Sequence, residues 1–265
     1  MLDWWHVAAG ALTGFVVGLT GVGGGALMTP ILLLAFGVAP HTAIGTDLWF
    51  AAGTKLPLTR LHHAQGLIDW QVVRRLWTGS LTASVATLVW ISRQPVDAHS
   101  MALLKGAIAV AVCVTAVGLF LQKPLQMLGR RIDTRAGARS PATWQGPMTV
   151  VAGAALGALV TLTSVGAGAL GAVLLVYLYP SRLTPPRLIA TDIAHAIPLA
   201  IFAAVGHSLI SHVDLALLGG LLAGSIPAAL LGALLSSRLP HGWLRAALAT
   251  VLLAVGLTLA TDVFR

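Results

Sequence analysis

The sequence predicts an all-α polytopic membrane protein built from two homologous halves. Of its 265 residues, 57% are hydrophobic and only 9% are charged, whereas a soluble domain is about 25% charged. Apolar stretches of about 20 residues, the length that spans a bilayer as a helix, recur along the chain. The second half of the chain also repeats a pattern found in the first. These observations favour a membrane-embedded repeat protein.

Two short apolar runs open the first half, at residues 7–19 and 26–38. Each is about 13 residues long, or roughly 20 Å of helix, which is short for a full crossing. Clustered glycines separate the two runs, and glycine disfavours a continuous helix. The cluster comprises Gly21, Gly23, Gly24 and Gly25. The pattern therefore predicts a pair of short helices with a break between them.

Longer predicted segments complete the chain. They cover residues 42–61, 70–91 and 102–121 in the first half, and 148–162, 169–179, 188–205, 213–235 and 244–260 in the second. We therefore divide the chain into a first transmembrane repeat (1–121), a basic cytoplasmic linker (122–146) and a second transmembrane repeat (147–265). The prediction is about eight full spans, or ten segments counting the short helices.

The halves match at several places. The run from Val22 to Leu27 aligns with the run from Val165 to Leu170, and Thr46-Asp47 aligns with Thr191-Asp192 at a spacing that then stays constant. Two topologies fit this duplication. Each broken pair is either one interrupted crossing, which gives parallel repeats, or a hairpin, which gives inverted repeats.

Basic residues discriminate between the two topologies. The net charge is +8, and we attribute it to positive cytoplasmic loops rather than to a nucleic-acid partner. Hairpins would place seven arginines on the same side as the linker: Arg60, Arg74, Arg75, Arg182, Arg187, Arg238 and Arg245. Single crossings would move the last four outside. The positive-inside rule therefore favours hairpins and inverted repeats.

The glycine breaks are the first candidate binding site. Irregular backbone survives in a bilayer only when it is buried in protein or lines a cavity. Freed N–H groups at a helix start suit an anion, and the alternative is close helix packing through small residues. We expect the two breaks to face each other and form one site. Its second-half members are Thr163, Ser164, Gly166 and Gly168, and Thr20 is the neighbour of the first break.

Two Thr-Asp pairs supply the candidate proton-coupling groups. Asp47 and Asp192 fall inside apolar segments, where carboxylates are rare and usually functional. Burial favours the protonated form, so each could carry a proton. The alternative is that each caps its helix, since both lie near a predicted start. The hydroxyls of Thr46 and Thr191 could donate to a substrate oxygen.

Lys55 and His195 are the remaining candidates. Lys55 lies two turns after Asp47, so it either pairs with that carboxylate, snorkels to the surface or supplies positive charge to an anion. His195 follows Asp192 by one turn, where it could relay protons or be a satisfied interior histidine. No histidine spacing predicts a metal site, and the single cysteine, Cys113, excludes a disulfide within one chain. We predict no cofactor and no catalytic residue.

These motifs together resemble the TauE/SafE family of sulfite exporter-like membrane proteins. The resemblance rests on Gly21-Val-Gly-Gly-Gly, the apolar helix with Pro30, Ala43-Ile-Gly-Thr and the degenerate second copy. It implies a bacterial inner-membrane protein that moves sulfite or small organosulfur anions. The family often has Thr-Ser where this chain has Thr46-Asp47 and Thr191-Asp192. This departure adds two acidic groups and favours proton coupling.

The sequence thus predicts a secondary transporter, an exporter of a small anion, working by alternating access. The expected partners are the anionic substrate and the lipid bilayer, with a homodimer left open. One alternative is a passive anion channel. Another is a membrane-embedded enzyme, for which Ser164 with His195 is the candidate pair.

Overall fold

The computed structural model describes residues 3–21, 25–95, 97–136, 141–166, 168–211, 213–236 and 241–263, and its regular elements are all helices. Ten helices occur in this part of the chain. They are α1 (Trp4–Thr20), α2 (Gly25–Leu34), α3 (Pro40–Ala64), α4 (Trp70–Ser92), α5 (Ala98–Ala136), α6 (Pro141–Thr163), α7 (Ala169–Leu178), α8 (Pro185–Ile210), α9 (Leu215–Leu235) and α10 (His241–Val263).

The helices have the length and composition of membrane spans. Within the described residues, five are long and apolar enough to cross a bilayer, in α5, α6, α8, α9 and α10. Helix α3 is 25 residues long but carries Asp47 and Lys55, both of which are buried inside the protein. Helices α2 and α7 have only 10 residues each. The predicted all-α membrane class, with long spans and two short helices, is confirmed.

Helix α5 is longer than the apolar pattern indicated. The sequence predicts its end near Leu121, where the basic linker begins, yet the helix continues to Ala136 and α6 starts at Pro141. Charged residues mark where a segment leaves the apolar core, but Lys, Arg, Gln and Leu are good helix formers. The described residues of the region assigned to a linker, 122–136 and 141–146, are therefore helical.

Glycine residues allow helices of different halves to pack in close backbone contact. Along α1, the glycines Gly10, Gly14 and Gly18 press against the backbone of Leu221, Ser225 and Ala229 in α9. A Cβ atom on any of the three would lie 2.0 to 2.4 Å from a carbonyl oxygen of α9. The residue numbers of the contacting pairs increase along both helices, so α1 and α9 are parallel. In the same way, Gly153 and Gly157 of α6 pack against Leu76 and Ser80 of α4.

Helices α3 and α8 form an antiparallel pair at the centre of the protein. Gly45, near the start of α3, packs against His207 near the end of α8, and Leu58 lies in one apolar cluster with Ile193 and Ile197. Most side chains in the middle turns of both helices are buried, with Leu56, Ile201 and Phe202 as exposed exceptions. Because the pair is antiparallel, corresponding positions of the two halves lie at opposite ends of it.

Helix directions decide between the two topologies. Helix α3 runs parallel to α9, since Phe50 shares an apolar cluster with Leu221 and Leu58 shares one with Ala229 further along both helices, so α3 also runs parallel to α1. Helix α2 therefore turns back between them, and α1 and α2 form a hairpin. Helix α8 runs parallel to α4, since Asp69 contacts Thr191 and Leu88 contacts Gly206, and it therefore also runs parallel to α6. Helix α7 must then turn back between α6 and α8, so α6 and α7 form a second hairpin that points the other way. The common origin of the two halves stays a prediction.

Basic residues of both halves gather at one end of the helices. The guanidinium of Arg75 lies next to Gly146, the Lys123 ammonium lies next to Gly242, and Arg182 pairs with Asp69. This basic end, defined by Arg75, Lys123 and Arg182, collects the charges that the hairpin topology predicts on one side. The assignment of this end to the cytoplasm rests on the positive-inside rule and stays a prediction.

Candidate functional site

The first break begins at Gly21, which ends α1 in a left-handed conformation with φ +66°. Its N–H donates to the Val17 carbonyl at 2.8 Å. A Cβ atom here would lie 2.4 Å from Ile189 Cγ2, so both the backbone angle and the contact require glycine. Gly25 is the first residue of α2, while Gly23 and Gly24 lie outside the described residues.

The second break begins at Ser164, which adopts a left-handed φ of +60° without being glycine. This conformation costs an L-residue about 1 to 2 kcal/mol, and such strain is typical of functional sites. Gly166 and Gly168 follow with φ of +118° and +131°. No side chain caps the start of α7, and the Gly171 N–H of its first turn donates to the Gly166 carbonyl at 3.2 Å. The predicted role of this helix start in anion binding stays a prediction.

The threonines before the breaks are engaged with their own helices. The Thr20 hydroxyl donates to the Val16 carbonyl at 2.7 Å, and the Thr163 hydroxyl donates to the Leu159 carbonyl at 2.7 Å. Thr163 Oγ1 also accepts from the Val165 N–H at 3.1 Å. A hydroxyl has one hydrogen, so neither threonine donates to a substrate in this conformation. The predicted donor role would require these helix ends to open.

The two breaks lie at different levels of the α3/α8 pair. Gly21 packs against Ile189 in the second turn of α8, whereas Ser164 lies beside Asp47, close to the level of His207. Ile189 and His207 are roughly 25 Å apart along α8 at about 1.5 Å per residue. Residues 22–24 of the first break lie outside the described part, so the expectation of two breaks that face each other in one site stays a prediction, although the structure does not bring Gly21 and Ser164 together. The antiparallel packing of α3 and α8 separates them.

Asp47 is the centre of the first cluster. The Thr29 hydroxyl of α2 donates to Asp47 Oδ2, and the Ser164 side chain of the opposite half lies beside the same carboxylate. Oδ1 has no hydrogen-bond partner among the described residues, although the side chain is completely buried. Helix α3 begins at Pro40 with Ala39 as its cap, so the alternative of a capping role for Asp47 is wrong.

Asp192 is the centre of the second cluster. Its carboxylate lies over Gly171 of α7, where a Cβ atom would be 2.0 Å from Asp192 Oδ1. Neither oxygen has a hydrogen-bond partner in the described part of the chain, and the residue is 1% exposed. The cap of α8 is Thr184, two turns earlier, so Asp192 is not a capping residue either. Asp47 thus contacts α2 and Asp192 contacts α7, which in each case is the short helix of the same half.

Lys55 connects the two clusters electrostatically. It is 1% exposed and interacts with Asp192 most strongly and with Asp47 as well. No other lysine or arginine in the described residues is buried to this extent. The position that matches Lys55 in the second half is Ala200, so a single cation serves both carboxylates. Snorkelling to the surface, one of the sequence alternatives, is wrong.

His195 belongs to the Asp192 cluster and is held by α4. Its Nε2 lies 3.0 Å from Ser80 Oγ, and its backbone carbonyl accepts from Trp77 Nε1 at 3.1 Å. Lys55 acts on the ring electrostatically. Ser164 belongs to the Asp47 cluster instead, so the structure does not bring together the Ser164–His195 pair of the enzyme alternative.

A hydrogen-bonded polar cluster lies between Asp192 and the basic end. Arg182 donates to both oxygens of Asp69, at 2.7 and 2.9 Å, and to Gln71 Oε1 at 2.8 Å. The Asp69 N–H donates to Thr191 Oγ1 at 3.0 Å, directly beside Asp192. Asp69 also caps α4 through the Val72 N–H. The ion pair therefore joins the loop after α7 to the first half of the chain.

Comparison with known proteins places this arrangement in a family. The family profile described as "Sulfite exporter TauE/SafE" matches residues 6–259. The chain belongs to the TauE/SafE family. It is similar to the "Probable membrane transporter protein YjnA" of Bacillus subtilis (strain 168), with 33% identity over 82% of this chain and 83% of that protein.

A "Probable membrane transporter protein" of Xylella fastidiosa (strain 9a5c) is 31% identical over 42% of each chain. One of Haemophilus influenzae (strain ATCC 51907 / DSM 11121 / KW20 / Rd) is 36% identical over 25% of this chain and 28% of its own. No solved structure matches significantly. Membership makes this chain an integral multi-pass membrane transporter, and a transporter is not an enzyme.

In this TauE/SafE protein the predicted residues fall into two clusters rather than one. Ser80 is a member that the sequence reasoning missed, although Gly79-Ser80 aligns with Gly224-Ser225 in the repeat. The matching Ser225 hydroxyl bonds Thr54 of α3. Duplication of a serine within an apolar span was the signal that could have found it. The described residues contain no group of three or more histidine, cysteine or acidic residues that could hold a metal ion.

Proposed function

We propose that this protein is a secondary transporter that exports a small anion, such as sulfite or an organosulfonate, across the bacterial inner membrane. Family membership supports membrane transport. The observation that supports an anionic substrate is Lys55, a buried cation shared by Asp47 and Asp192 at different depths of the α3/α8 pair. A buried charge persists only when it is paired.

Charge balance couples the anion to protons. Lys55 with two ionised carboxylates has one negative charge in excess, and an added anion would worsen this imbalance in a low-dielectric interior. The anion therefore takes the place of a carboxylate beside Lys55 as that carboxylate takes up a proton. Asp47 and Asp192 are the proton carriers in this proposal, which makes transport depend on the proton gradient.

The hairpins provide two depths for alternating access. The Asp47 cluster is lined by the second break and the Asp192 cluster by the short helix α7. The anion would exchange between these clusters while Lys55 remains between them. Opening at the basic end requires separation of Asp69 from Arg182, and opening at the other end occurs near Asp47. An inside-negative potential favours exit of an anion.

Flux through purified protein in liposomes tests this proposal. Sulfite, sulfate, thiosulfate, sulfoacetate and simple carboxylates are compared with and without an imposed proton gradient. Lys55→Met should abolish saturable uptake because it removes the charge that offsets the anion. Lys105→Met, at an exposed position on α5, is the matched control and should keep wild-type flux.

Three results would contradict the proposal. Unchanged anion affinity in Lys55→Met would remove Lys55 from the binding site. Equal flux with and without the imposed proton gradient would indicate a passive anion channel instead. Absence of flux for every anion in the wild-type protein would exclude this substrate class.

A further inference from the structure

Four buried polar side chains from three helices lie near one another on the side of α8 that faces α7. Lys55 comes from α3, Ser80 from α4, and Asp192 and His195 from α8. Each is at most 1% exposed. His195 is one turn after Asp192, so both project from the same face of α8, and Lys55 acts electrostatically on both. This is the most enclosed polar cluster that the described residues form around a cation.

The contact of Ser80 with His195 indicates which ring nitrogen carries the hydrogen. Most serines and threonines inside the helices donate to a carbonyl of the preceding turn, as Thr163 does. Ser80 differs, because its hydroxyl has one hydrogen-bond partner among the described residues, His195 Nε2 at 3.0 Å. A hydroxyl placed this way uses its hydrogen only by donating to Nε2. The ring hydrogen must then be on Nδ1.

We propose that Ser80 fixes the Nδ1–H form of a neutral His195, and that this N–H and the Lys55 ammonium together bind two oxygens of the transported oxyanion. The inference rests on the proposed anion transport and assigns His195 a role as donor rather than as proton carrier. The ligand class is an oxyanion with at least two acceptor oxygens, such as sulfite or a sulfonate.

Two features of the cluster support a donor role. His195 Nδ1 is buried and has no hydrogen-bond partner in the described part of the chain, and a buried N–H without an acceptor is costly. The ammonium of Lys55 also acts on this ring, and a second positive charge there would be repelled. An oxyanion oxygen satisfies Nδ1–H without adding a cation. The ring is further held by Trp77, which donates to the His195 carbonyl at 3.1 Å.

The donor pair has no counterpart at the matching positions of the two halves. The residue that matches His195 in the first half is Phe50, and the residue that matches Lys55 in the second half is Ala200. Phe50 is fully buried and contributes to an apolar cluster with Met28 and Leu221. The anion is therefore bound most tightly on the Asp192 side, toward the basic end, and more loosely beside Asp47.

Two substitutions of His195 separate the nitrogens. Asn places an amide nitrogen near the position of Nδ1, whereas Gln places it near Nε2. Calorimetric titration of the purified protein with sulfite and with methanesulfonate should give near wild-type affinity for His195→Asn. His195→Gln should bind both anions about 10- to 100-fold more weakly, the range for a lost hydrogen bond to a charged group. His99→Gln, at an exposed site, is the control.

Ser80→Ala tests the positioning role without touching His195. Nitrogen NMR of histidine-labelled protein should show Nδ1 protonated in the wild type and a mixture of ring tautomers in Ser80→Ala, with affinity reduced about tenfold. Equal affinity of His195→Asn and His195→Gln, or an Nε2–H ring in the wild type, would overturn the assignment. If the wild-type protein bound neither anion, the proposed function would be overturned as well.

Discussion

Gly171 offers a direct test of the Asp192 cluster, because the three atoms nearest to a methyl group there all belong to the Asp192 carboxylate. A Cβ atom at Gly171 would lie 2.0 Å from Asp192 Oδ1, against 3.4 Å for ordinary contact, so the carboxylate must move by about 1.4 Å. The clashing atom is the far end of a side chain, which can rotate away. Displacement of about 1 Å in a binding constellation costs on the order of 100-fold in rate.

Gly171→Ala should therefore reduce anion flux by about 10- to 100-fold while the protein stays folded. Alanine is a better helix former than glycine by about 1 kcal/mol, so the melting temperature in detergent should not fall. The assay is initial flux in liposomes beside a thermal melt of the same preparation. Gly219→Ala in α9, where a Cβ atom meets nothing within 4 Å, is the control. Wild-type flux in Gly171→Ala would refute a role for the Asp192 carboxylate in transport.

Further predictions concern the framework and its basic end. Gly157→Ala places a Cβ atom 2.1 Å from a backbone carbonyl oxygen of α4, so it should lower stability by at least 1 to 3 kcal/mol in a detergent melt; an unchanged melt would mean that the α4/α6 contact is loose. Asp69→Asn keeps the cap of α4 but loses the ion pair to the 40% exposed Arg182. This substitution should lower the free energy of unfolding by about 0.5 to 1 kcal/mol and increase the labelling of a cysteine introduced at the basic end. Unaltered labelling of that cysteine would argue against a gate at this end. Cysteines at Arg135 and Arg182 should react with an impermeant reagent from the same side, and labelling from opposite sides would exclude the hairpin topology.

Apolar patterning was sufficient to predict the helices and their order. A bilayer requires helices of defined length and composition, so the spans are visible in the sequence. The hairpin topology was also recoverable, because arginines mark one side of the membrane. The end of α5 at Ala136 was not, since the boundary of the apolar core and the boundary of a helix are set by different forces.

The sequence indicated which residues belong to the candidate site more successfully than it indicated how they are arranged in space. Asp47, Lys55 and Asp192 stand out in sequence because charge inside a span is rare, and the structure brings Lys55 within electrostatic range of both carboxylates. Their separation into two clusters depends on the antiparallel crossing of α3 and α8, which no local pattern encodes. The contacts of Asp47 with Thr29 and of His195 with Ser80 depend on the same tertiary packing.

The glycine contacts between α1 and α9, and between α4 and α6, have a consequence for how the protein is assembled. Each contact joins the opening helix of one sequence half, α1 or α6, to a helix of the other half, so the two halves are interlaced rather than placed side by side. Expressed alone, either half would leave a glycine-lined groove facing lipid, with no helix close enough to fill it. Any body that moves as one across these contacts would therefore contain helices of both halves.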